Sequence, residues 1–149
     1  MMRSPLREEA SMLTNPLTSK RPEEIGVHQG RLAACSPTRN SVSSQAEDAA
    51  HYIDPLEPGD RCPAEMMRRL KTALMGCEEA EVITASDTYL HAECHSALGF
   101  VDDLELLWSE EEGVCHVRSA SRLGISDLGK NRARVEKLRM LLEGWGFCE

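Results

Sequence analysis

The run Phe100-Val101-Asp102-Asp103-Leu104-Glu105-Leu106 constrains this chain more than any other stretch. It reads as a strand, and along a strand neighbouring side chains point to opposite faces. Asp102 and Asp103 therefore cannot form a close carboxylate pair, and one of them is expected to face inward. A buried carboxylate protonates unless an opposite charge or several hydrogen-bond donors keep it ionised. Arg118 and Arg122 follow in the next segment, and a guanidinium binds a carboxylate through two parallel hydrogen bonds. The run thus predicts an ion-pair network that fastens the last strand to the last helix.

The surrounding pattern sets the fold class. A first helix is expected from Asp60 or Cys62, with Pro63 near its first position and Met66, Met67, Leu70, Ala73 and Leu74 at helical spacing until Gly76 stops it. Four strand-like segments follow at 81–85, 88–95, 100–108 and 113–118, separated by turn-forming residues. A second helix is expected from Asp127 or Leu128 to about residue 143, with Leu128, Val135, Leu138 and Leu142 as its apolar stripe. The order predicts an α+β domain: an antiparallel β-meander of about four strands packed by two helices. Residues 1–22 lack apolar periodicity and read as a flexible leader, so 23–149 form the single domain. Its first part is an extended N-terminal arm, in which Ile25, Val27, Leu32, Val42, Tyr52, Ile53 and Leu56 offer anchors.

Composition narrows the functions available. A 41% apolar content suffices for one core, and with only 4% aromatics that core rests on aliphatic side chains. The net charge of −8 argues against general affinity for nucleic acid or an anionic membrane, both of which require a basic face. No run approaches the ~20 apolar residues of a membrane span. Residues 1–20 lack a signal-peptide core, which makes a cytoplasmic location the expectation, with all six cysteines reduced. There is no C-x-x-C pair to suggest a zinc ribbon or a thioredoxin-like motif.

Three groups of residues can carry chemistry. His91, Glu93 and His95 share one strand face, with His116 and Asp103 or Glu105 on neighbouring strands; two imidazoles and a carboxylate suit zinc or iron. The plainer reading is a solvated polar sheet face. Ser126 and Asp127 precede the second helix and can cap its free amides. Alternatively Ser119, Ser121, Ser126 and that helix N-terminus, flanked by Arg122, Asn131 and Arg132, hold a phosphate or carboxylate. Ser41, Ser43 and Ser44 lack the G-x-S-x-G elbow of a hydrolase.

The segment Phe100–Leu106, followed by Val117-Arg118-Ser119-Ala120-Ser121-Arg122-Leu123-Gly124-Ile125-Ser126-Asp127-Leu128-Gly129-Lys130-Asn131-Arg132, closely resembles the bacterial family called domain of unknown function 1499. That family shows F-V-D-D-[LV]-E-[FL], then V-R-S-A-S-R-x-G-x-S-D-x-G-x-N-R-x-R. Gly26-Val27-His28-Gln29-Gly30-Arg31-Leu32-Ala33-Ala34-Cys35 is similar to its opening block, and the resemblance spans roughly Glu24 to Leu142. One departure is plain: the family has N-C-V-S-S where this chain has Asn40-Ser41-Val42-Ser43-Ser44. A role for a second cysteine there is not carried over. The resemblance implies a family without a reaction. The residues support a non-catalytic binding or structural module with a polar Arg/Asp/Ser groove for a small anion or a peptide segment, and no cofactor. The alternative is a hydrolase or metal-dependent enzyme using the His91/Glu93/Asp103 face.

Overall fold

Helix α1 (Pro63–Met75) forms where Met66, Met67, Leu70 and Leu74 recur on one face, and all four are buried. Pro63 occupies its first turn, where a missing N–H costs nothing, and Gly76 caps its end. These details come from a computed structural model, which describes residues 20–38, 40–123 and 127–144. Most of the expected leader, and Ser126, lie outside the described residues.

Helix α2 (Lys130–Leu142) buries Val135, Leu138, Leu141 and Leu142. It begins later than the apolar pattern suggests. Leu128 and Gly129 adopt left-handed backbone (φ 57 and 80), while the Asp127 carboxylate accepts hydrogen bonds from the amides of Gly129 (2.8 Å) and Asn131 (3.2 Å). This turn expels Leu128 from the apolar stripe, and the residue is 95% exposed.

Between the helices run β2 (Ala80–Ala85), β3 (Tyr89–His95), β4 (Val101–Ser109) and β5 (Val114–Ser121). They form the expected meander, but the sheet has five strands. The fifth, β1 (Ser41–Ser43), comes from the arm and pairs with β5, giving the order β1-β5-β4-β3-β2, antiparallel throughout. Three residues in a Ser-rich stretch carry no strand pattern of their own. The pairing is lengthened by Ser44 N donating to Val117 O and by Ser121 N donating to Asn40 O.

Alternation sorts the sheet into two faces. Val42, Leu90, Ala92, Leu104, Leu106 and Val117 pack against α1 and α2, joined by Ile53 and Leu56, in one apolar core. The opposite face carries Tyr89, His91, Glu93, Asp103, Glu105 and Arg118. It is not solvated. Residues 20–36 cross it, and His91, Glu93, Asp103, Glu105 and Arg118 are all buried. The arm holds on by polar contacts: Arg21 Nε to Glu93 Oε2 (2.6 Å), Gly26 N to Glu105 Oε2 (2.8 Å) and Ala34 O accepting from Arg118 Nη2 (3.4 Å). Arg21 thus already belongs to the arm, within the stretch expected to be leader. Of the arm's apolar residues, Leu32 is buried whereas Val27 and Tyr52 are exposed.

Among the described residues no helix is long and apolar enough to cross a membrane. The expectation of six reduced cysteines does not hold: Cys77 is disulfide-bonded. Cys35, Cys62, Cys94 and Cys115 are free thiols.

Candidate functional site

The register of three neighbouring strands brings the acids and bases of the arm-covered face together. Glu93 on β3 sits opposite Asp103 on β4, and His91 opposite Glu105, which in turn faces Arg118 on β5. Arg122, just past the end of β5, reaches back over β4. Its Nε donates to Asp103 Oδ2 (2.8 Å) and its Nη2 to Asp103 Oδ1 (3.0 Å) and Glu93 Oε2 (2.6 Å). The two-pronged contact is the geometry in which guanidinium binds carboxylate best. His91 Nε2 completes the set at 2.8 Å from Asp103 Oδ1.

These contacts decide the charge states. Burial alone pushes Asp103 up, but hydrogen bonds from His91 and Arg122 outweigh it and hold the carboxyl below its ordinary value. Glu93 behaves alike: desolvation raises it, and Arg21 and Arg122 together bring it below the ordinary range. Tyr89 is raised by burial and by the hydrogen bond it donates to Glu105 Oε2 (2.6 Å).

Arg118 is placed differently. It reaches neither Asp102 nor Asp103; its nearest acid oxygen is Glu105 Oε1, at 3.5 Å. Among the described residues its Nε has no hydrogen-bond partner, nor does Glu105 Oε1. Arg118 lines a cavity of about 250 Å³ between arm and sheet, together with Glu24, Asn40, Ser41, Asp103 and Arg122. Ser41 Oγ is also buried without a partner in hydrogen-bonding geometry. Burial pushes the neighbouring Cys35 thiol up, with Ser41 and Arg118 pulling the other way.

The other members of the sequence-derived cluster lie on the opposite face of the sheet. Asp102 pairs with Arg134 Nη2 (2.9 Å), a partner the sequence reading missed. Ser119 donates to Asn131 Oδ1 (2.7 Å), and Asn131 Nδ2 donates to Ser121 Oγ (2.9 Å) and Asp127 Oδ2 (2.7 Å). This network ties α2 to β5. It also fills the helix N-terminus with the carboxylate of Asp127, and Arg132 turns away to Ala50 O (3.3 Å). Arg122 and Arg132 therefore do not converge on one anion: Arg122 is engaged by Asp103 and Glu93 on the arm-covered face, and Arg132 by the Ala50 carbonyl.

His95 is exposed, and His116 bonds elsewhere, to Ser44 Oγ (2.8 Å) and Glu112 Oε2 (2.6 Å). What remains of the metal set is His91, Glu93 and Asp103, with one ligand atom from each lying within 4.8 Å of the others. Arg21 and Arg122 already neutralise those carboxylates. Sequence reasoning missed Arg21, because it sits in a stretch of leader-like composition, and Arg134, although it lies one helical turn beyond Lys130 on the same helix.

Residues 31–142 match the family model described as Protein of unknown function (DUF1499). No curated protein and no solved structure matches the chain. The match covers most of the sequence, and the chain belongs to this family.

Proposed function

We propose that this member of the family is a non-catalytic binding module whose ligand is a small molecule bearing a carboxylate or similar oxyanion, held by Arg118 in the cavity between arm and sheet. The observation that carries the reading is the unused Nε of a buried arginine beside a cavity. A buried charge without good hydrogen bonds costs several kcal/mol, to order of magnitude. Arg122, two turns of the alternation away, shows what a saturated arginine looks like in the same surroundings. A ligand oxygen accepting from Arg118 Nε and from the Ser41 hydroxyl would remove both deficits at once.

Thermal melting tests this. Acetate or phosphate is expected to raise the melting temperature saturably, with no such rise from chloride at equal ionic strength. Arg118→Lys keeps the charge but loses the planar fork, so it is expected to fold and lose the response. Equal shifts with chloride, or an unchanged response in Arg118→Lys, would sink the reading.

A hydrolase or metal-dependent enzyme using the arm-covered face is the second reading, favoured only by the spacing of His91, Glu93 and Asp103. Against it, a cation would have to displace Arg122 from both carboxylates. Stoichiometric zinc or iron in purified protein, lost in His91→Ala, would establish the metal site that the metal-dependent form of this reading needs.

A further inference from the structure

The cavity has opposite charges at two places that are not joined to each other. Among its lining residues, buried Arg118 leaves Nε unused. At its edge Glu24 is exposed, and no cation among the described residues is paired with its carboxylate. The other two charged residues of the lining, Asp103 and Arg122, saturate one another. The lining carries two acids and two bases, and Arg118 also stands 3.5 Å from the buried Glu105 carboxylate just behind it, so a bare anion would bring a charge into surroundings with no net positive charge to meet it. A molecule carrying its own ammonium adds none.

Size points the same way. At about 250 Å³ the cavity lies below the roughly 300–1,000 Å³ of pockets that take drug-sized ligands, which suits a ligand of few heavy atoms. Resting on the oxyanion reading above, we infer that the ligand is a small zwitterion of the amino-acid type. Its carboxylate lies on Arg118 and Ser41, and its ammonium lies against Glu24 at the arm side. The arm supplies half of the recognition, so binding also fastens the arm to the sheet.

The experiment uses the full chain and simple probes, by titration calorimetry and thermal melting: glycine, β-alanine and γ-aminobutyrate, against acetate and methylammonium as the separate halves. The best amino acid is expected to bind roughly tenfold or more tightly than acetate. Glu24→Gln, a change at an exposed position, is expected to bring the amino acid's affinity down to that of acetate without weakening acetate itself, because it removes only the partner of the ammonium. Acetate binding as tightly as every amino acid, or an amino-acid affinity unchanged in Glu24→Gln, would overturn the zwitterion. If neither acetate nor any amino acid binds, the oxyanion reading falls with it.

Discussion

On the helix-covered side of the sheet Leu104, Leu106 and Val117 are completely buried among aliphatic neighbours. On the arm-covered side Asp103, Glu105 and His91 are just as deeply buried, yet each is ionisable. The first side is held by area removed from water, which is non-directional and forgiving of shape. The second is held by ion pairs whose attraction must offset the desolvation of every partner, so losing one partner strands the rest. One sheet thus carries a side that tolerates substitution by size and a side that tolerates it hardly at all, and the cavity lies on the latter.

Removing the central cation breaks the charged side most severely. Arg122→Ala leaves Asp103 and Glu93 buried without their shared guanidinium, and a loss of about 3–5 kcal/mol is expected in urea denaturation. A loss under about 1 kcal/mol would show that ion pairs do not hold that side. On the apolar side Leu104→Ala serves as the reference, with an expected loss of about 3 kcal/mol from transfer and cavity terms.

Acid separates the two sides without mutation. Asp103 and Glu93 titrate below their ordinary values in the folded protein, so the unfolded chain binds more protons as pH falls. Their contribution is fully present above the unfolded carboxyl range, about pH 4, and is lost as pH drops through the lower folded values. On lowering the pH below 4, amide protection measured relative to the intrinsic exchange rate at each pH is expected to be lost first at Gly26, whose N–H is bonded to Glu105, and only later at the β4–β5 ladder. Simultaneous loss of both would mean that the two sides open as one unit.

The smallest expected effect lies at the arm's edge. Arg21 is half exposed, so Arg21→Ala is expected to cost no more than about 1 kcal/mol. It should nevertheless quicken modification of Cys35 by a thiol reagent while leaving Cys115, fully buried and raised to about 12 by that burial, as slow as before. Equal acceleration of both thiols would deny the arm any independence.

Local signals made much of this legible. Pro63 and Gly76 bracket α1, and turn residues divide the meander, because these effects act within a few residues. The strand alternation likewise separated Asp102 from Asp103 and put Tyr89, His91 and Glu93 together. It could not tell that this face lies under the arm, since burial there depends on Arg21 meeting Glu93 across 72 residues of chain. For the same reason Arg134 was overlooked as the partner of Asp102, and Arg118 was matched to an aspartate although Glu105 stands opposite it in the register. Pairing across strands is a property of register, and one sequence does not display register.

The placement of β1 beside β5 also has a bearing on how the molecule is born. As the chain leaves the ribosome, β2 to β5 can zip one after another through short turns, whereas β1 and the arm wait for partners made late. Ser44 meets His116 72 residues further on, and such distant pairings are slow because loop closure precedes their reward. Glu93, Asp103 and Glu105 are therefore expected to stay hydrated on the nascent chain until the arm meets the finished strands and covers them.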